Sequence, residues 1–167
     1  MAEILPIVAQ ERAQLNSRRR NSSCADLFDA LDAVCDPELP ALSIWDLGVL
    51  QDVLRYGDKV RVVITPTYSG CPAMTQISED ILSCLTACGE HSVEVVVRLA
   101  PAWTTDWMDA SARTTLRAYG VAPPGQPACP QCGSSTIKLI SEFGSTACKA
   151  LYRCESCAEP FDYFKSL

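Results

Sequence analysis

Two pairs of cysteines state their chemistry most directly. Cys129-Pro-Gln-Cys132 and Cys154-Glu-Ser-Cys157 each separate two thiols by two residues, and the stretch between the pairs is long enough for a β-hairpin. A turn of that length aims both sulfurs at one ion about 2.3 Å away, and two such turns complete a tetrahedron. Four protein ligands leave no position for a substrate, so the spacing predicts a structural zinc site; a mononuclear iron centre uses similar knuckles and competes for the same ligands. Cys148 lies six residues before Cys154. On a continuous strand that is about 20 Å from the metal, so Cys148 is expected to be a half-buried filler thiol rather than a ligand.

A third position is Cys71, which follows Gly70 and precedes Pro72. Proline is tolerated as the first residue of a helix, so Cys71 is expected at the N-cap, where unpaired backbone N–H groups and the helix dipole favour the thiolate. A thiolate there is a nucleophile or a metal ligand. Thr65 and Thr67, at the end of the preceding strand, are placed to line the same cavity mouth, although threonines commonly end strands without any function. Asp36 and Glu38 flank Pro37. Two acids around a proline more often close a turn than catalyse, and no raised-pKa setting marks them. Cys84 and Cys88 fall on or near an apolar helical face and read as buried filler; Cys24 and Cys35 flank a helix, and His91 sits in a turn. With a single histidine no Ser/His/Asp set can be built, and no glycine-rich phosphate loop opens a helix.

The elements that must position these residues are legible in part. Residues 1–22 have no clean period and include Arg18, Arg19 and Arg20, which predicts a solvated, flexible arm. Ser23 and Asp26 resemble a capping box ahead of Leu27, Leu31 and Val34 at helical spacing, and Pro37 limits that helix. Strand-like runs over 49–56 and 59–65 flank Gly57-Asp58 as a hairpin. A second helix runs from Pro72 to Gly89 with Ile77, Ile81 and Leu85 on one face, a third strand covers 93–99, and a last helix covers 109–119. The order predicts an α+β domain over residues 23–120, a small three-stranded sheet covered by helices. The Pro-rich residues 121–127 read as a linker, and 128–167 as a four-cysteine zinc-ribbon β module.

Composition excludes several roles. The net charge is −6 with 14 basic and 20 acidic residues, which argues against a phosphate backbone as partner. Residues 128–167 hold four basic and four acidic side chains, so the excess negative charge lies in the larger part. No apolar run is long enough to span a bilayer. Ten cysteines without a secretory leader point to the reducing cytoplasm, where thiols serve as filler, ligands or reactive groups.

The strings Asp36-Pro-Glu38-Leu-Pro40, Ile44-Trp-Asp-Leu-Gly48, Thr65-Pro-Thr67-Tyr-Ser-Gly70-Cys71-Pro-Ala-Met74 and Pro101-Ala-Trp103-Thr-Thr-Asp-Trp107-Met108 resemble, in that order, the four motifs of the MIP18 family, also called DUF59. The likeness covers roughly residues 24–120. It implies an iron–sulfur-assembly-like domain, with the functional cysteine carried over to Cys71 and the acidic motif to Asp36 and Glu38. The added ribbon, with Phe143 to Lys149 and Glu159 to Lys165, is similar to a branch that accompanies bacterial phenylacetyl-CoA epoxidases. That resemblance implies an accessory factor handling iron or an iron–sulfur cluster, with the epoxidase components as partners and the 2Fe–2S reductase as client. One thiolate cannot hold a cluster, which usually needs four ligands, so a cluster would be transient and shared across a homodimer or with the client. A docking subunit of the oxygenase is the second expectation. A thiol enzyme using Cys71 is the weakest of the three, because no general base is visible nearby.

Overall fold

The computed structural model describes residues 7–125 and 127–167, with side chains from residue 11 onward. The chain divides into two compact units between Asp109 and Ala110.

The first unit is built on a three-stranded sheet. Strands β3 (Leu50–Tyr56) and β4 (Lys59–Ile64) form the antiparallel hairpin around Gly57-Asp58, and β5 (Val93–Val97) joins β4 in parallel, giving the order β3-β4-β5. A parallel neighbour needs a crossover, and helix α3 (Ala73–Ala87) supplies it. Alternation along β4 turns Val60, Val62 and Ile64 to one side, where all are fully buried, while Ile77, Ile81 and Leu85 of α3 are buried at helical spacing. Helix α2 (Ala25–Leu31) packs on α3 and buries Leu27, Phe28 and Leu31. The expected capping box does not form: Cys24 holds the N-cap position with no side-chain cap, and Ser22 Oγ accepts from the Cys24 N–H at 3.0 Å. Strands β1 (Cys35–Asp36) and β2 (Leu39–Ser43) make a separate two-stranded ladder across the Pro37 turn.

The expected N-terminal arm is instead helix α1 (Ile7–Arg20), with residues 1–6 outside the described residues. Arg12 is 8 % exposed and donates from Nη1 to the carbonyls of Trp45 and Trp107, each at 2.8 Å, and from Nη2 to Asp109 at 3.2 Å. Burial pulls this guanidinium down, with Asp109 and Asp46 opposing. Arg19 pairs with Asp29 and Asp32 and lies 4.8 Å over the Trp45 ring, and Arg18 donates to the Gln51 carbonyl. The inner face of α1 is thus partly guanidinium packed on tryptophan and loop carbonyls, a pattern that apolar periodicity does not register.

The second unit opens with α4 (Ala110–Tyr119), which the sequence reading grouped with the first domain. The expected linker is a correction too. Its first two residues form strand β6 (Val121–Ala122), parallel to β9 (Pro160–Phe164), and Pro124 and Gly125 accept hydrogen bonds from Arg113 and Tyr163. With β7 (Ile137–Ser141) and β8 (Lys149–Cys154) the sheet order is β6-β9-β8-β7.

Candidate metal centre and the start of helix α3

In the second unit the cysteine pairs sit on turns that the chain folds for them. In the first, the Gly133 N–H donates to the Cys129 carbonyl at 2.8 Å, and Gly133 takes a φ of +75° that glycine adopts without strain. In the second, the Cys154 N–H donates to Glu159, and the Glu155 N–H reaches Thr136, at 2.9 Å in both cases. The Glu155–Thr136 bond and a 2.8 Å contact between the Ser134 and Ser156 hydroxyls tie the turns together.

Their four sulfurs lie within 4.8 Å of one another, with Cys129 to Cys157 at 3.7 Å and Cys132 to Cys154 at 3.5 Å. A tetrahedron with about 2.3 Å metal–sulfur bonds has edges of about 3.8 Å, so the donor set fits one four-coordinate ion. Cys129 and Cys154 are buried against Ala122 and Phe161, while Cys132 and Cys157 are exposed. The backbone N–H groups of Cys157 and Ser156 face the Cys154 sulfur and bring that thiol down to about 6 against desolvation. The Glu159 amide pulls Cys157 the same way, but desolvation and the thiols of Cys154, Cys129 and Cys132 outweigh it and push Cys157 up to about 12. Four sulfurs this close cannot all ionise together unless a cation neutralises them. Cys148, expected as a half-buried filler, is buried ahead of β8 beside the Thr146 hydroxyl at 3.1 Å and stands outside the four-sulfur cluster.

In the first unit, the N-cap of α3 expected at Cys71 is instead Pro72, which already has helical backbone angles (φ −67°, ψ −21°); Cys71 stands immediately before it, half-buried, its carbonyl accepting from the Met74 N–H at 3.3 Å. Gly70, at φ +85°, makes the turn into this position. Asp36 is buried, and its Oδ1 accepts from the N–H groups of Glu38 at 2.7 Å and Leu39 at 3.1 Å, closing the turn between β1 and β2; Glu38 itself is exposed. Strand β1 packs on α3, the helix that Cys71 introduces. Thr65 follows β4, is 1 % exposed, and among the described residues its hydroxyl has no hydrogen-bond partner; Thr67 is half-buried in the loop to Cys71. Two other thiols are held in the protonated form: burial, then the Asp46 and Asp36 carboxylates, push Cys35 up, and burial and Cys88 push Cys84 up.

Residues that spacing did not single out hold the tryptophan loop. The Trp103 indole donates to the Leu47 carbonyl at 3.0 Å, the Trp107 indole to Glu11 at 2.7 Å, and Gly48 lies against the Trp107 backbone. A cavity of about 270 Å³ between α1 and this loop is lined by Arg18, Gln51, Arg98 and Trp107, apart from every site residue expected from sequence.

Residues 117–165 match the family described as the PaaD zinc beta ribbon domain, and residues 25–97 match the iron–sulfur cluster assembly protein family. Over 152 residues the chain is 48% identical to a protein of Escherichia coli (strain K12) provisionally named as a subunit of 1,2-phenylacetyl-CoA epoxidase, an alignment covering 85% of this chain and 92% of the relative. This chain belongs to that epoxidase-subunit family. The first unit also resembles the crystal structure of a DUF59 domain from Bacillus anthracis, at 30% identity and a TM-score of 0.52, covering 62% of this chain and 95% of that domain. The family thus joins an iron–sulfur-assembly segment, holding Asp36, Glu38, Thr65, Thr67 and Cys71 in this chain, to a zinc ribbon holding all four clustered cysteines. Among the described residues no helix is long and apolar enough to cross a membrane.

Proposed function

We propose that this chain is a non-enzymatic accessory factor that delivers or repairs an iron–sulfur cluster, or iron, for a phenylacetyl-CoA 1,2-epoxidase system in the cytoplasm, with the 2Fe–2S reductase as its client. The observation that carries the reading is the placement of Cys71 just before the Pro72 N-cap of α3, inside the segment that matches iron–sulfur cluster assembly proteins. The cargo is the substrate here, and Cys71 supplies one thiolate to it; the remaining ligands come from the client or from a second copy. The four cysteines of the ribbon would hold one ion and leave it no open position, so the ribbon's role is structural and it presents a surface to the epoxidase components. The name of the 48% identical relative favours a second reading, a docking component of the oxygenase itself.

Cys71 is expected to alkylate faster near neutral pH than Cys24, Cys35, Cys84 or Cys88, because the helix start favours its thiolate while burial holds Cys35 and Cys84 protonated. A short iodoacetamide pulse read by mass spectrometry checks this. First reaction at the exposed Cys88 would remove the basis for Cys71 as the reactive ligand. Protein purified without oxygen is expected to carry iron and sulfide beside its zinc, whereas colourless protein with zinc alone supports the docking role.

A further inference from the structure

Strand β5 is an edge of the three-stranded sheet, and among the described residues no strand lies beyond it. Its sequence, Val93-Glu94-Val95-Val96-Val97, runs on through Arg98 and Leu99. The Val60 N–H donates to Ser92 and the Arg98 N–H to Ile64, both at 2.8 Å, so the even-numbered residues of this segment turn their peptide groups toward β4. Val93, Val95, Val97 and Leu99 therefore turn theirs outward. The same four residues share one side-chain face, continuing that of Val60, Val62 and Ile64, yet Val97 is 46% exposed and Leu99 58%. An apolar edge with a row of outward donors and acceptors is a template for another strand.

We propose that this edge pairs antiparallel with the same edge of a second copy, about a two-fold axis at Val96, joining two sheets into one of six strands. Outward residues must face outward residues, so the axis passes through a residue rather than between two, and pairing at least five residues of the 93–99 segment centres it on Val95, Val96 or Val97. Through Val96 the register sets Val95 opposite Val97 and Val93 opposite Leu99 as hydrogen-bonded pairs. It also sets Glu94 opposite Arg98 as a close, non-hydrogen-bonded pair, twice by symmetry. An axis through Val95 would place Glu94 against Val96, and one through Val97 would place Arg98 against Val96. Charge complementarity thus selects the Val96 register. Arg61 donates from Nε to Glu94 at 2.9 Å on the same sheet face.

The interface stands apart from the cargo reading: a monomer would leave delivery to a client intact, and fully loaded reductase would leave the dimer intact. Sedimentation equilibrium of the full chain over a concentration series is expected to give a dimer. Glu94→Arg alone sets two arginines against each other, and Arg98→Glu alone sets two glutamates, each weakening self-association by about tenfold. An equimolar mixture of the two variants restores both opposite-charge pairs and is expected to form a heterodimer at close to wild-type affinity. That rescue also shows that both variants are folded. Wild-type protein that stays monomeric throughout the series, or an Arg98→Glu variant that dimerises like wild type, overturns the proposal. So does monomeric protein whose edge variants lose binding to the reductase, since the edge then serves another chain.

Discussion

Cys154→Ser is expected to release the bound metal and unfold the ribbon while the first unit stays folded. Cys154 is fully buried between the knuckle and Phe161, and its sulfur is the one that the backbone amides of Cys157 and Ser156 address. Serine offers no soft donor at that corner, and three remaining sulfurs leave the tetrahedron open. The ribbon, residues 128–167, is of the size at which a core alone seldom suffices, and metal binding in such modules contributes about 10 kcal/mol or more of folding free energy at neutral pH. Metal content per chain together with backbone hydrogen exchange is the measurement. Stoichiometric zinc with an unchanged β7–β9 exchange pattern would show that these four cysteines are not the ligand set. The same chemistry predicts acid release, because protons compete with the ion for all four thiolates.

Gly48→Ala is expected to destabilise the first unit by about 3 kcal/mol or more, combining backbone strain with a collision. Gly48 sits at φ +72°, and an added Cβ would lie 2.6 Å from the Trp107 Cβ and 2.6 Å from the Trp107 carbonyl oxygen. Neither atom can retreat readily. That carbonyl accepts from the buried Arg12, while the Gly48 carbonyl accepts from the Gln51 side chain at 2.7 Å. Gly57→Ala is the matched control, with φ +59° but open space around the new methyl, so it carries the strain alone, about 1 kcal/mol. Urea denaturation followed by tryptophan fluorescence separates the two, and equal losses would mean that the tryptophan loop does not close on Gly48.

What the sequence made legible follows from where the physics is local. The knuckle spacing is set by one ion and four sulfurs, so it survives translation into structure intact, as do the Gly57 hairpin and the apolar face of α3. The turn around Pro37 closes on the Asp36 carboxylate, as two acids flanking a proline suggest. Helix α1 is not legible in the sequence because its contacts are made largely by Arg12, Arg18 and Arg19, residues that read as solvated until Trp45, Asp29 and Gln51 are brought beside them. Strand β6 is not legible either, because two residues carry no period, and only β9, some forty positions later, makes Val121 and Ala122 a strand. The approach of Gly48 to Trp107 likewise joins distant segments. A glycine after Trp45-Asp46-Leu47 signals a turn, but not the chain that passes over it.

Iron and sulfide per reductase, isolated from wild-type, deletion and Cys71→Ala strains grown on phenylacetate, test the maturation reading most directly. Cys71 is half-buried at a helix start and outside the apolar core, so Cys71→Ala is expected to leave the protein folded and present at normal levels. The account predicts reductase short of iron and sulfide in both the deletion and the Cys71→Ala strains, with impaired growth. Equal loading in all three strains would contradict it.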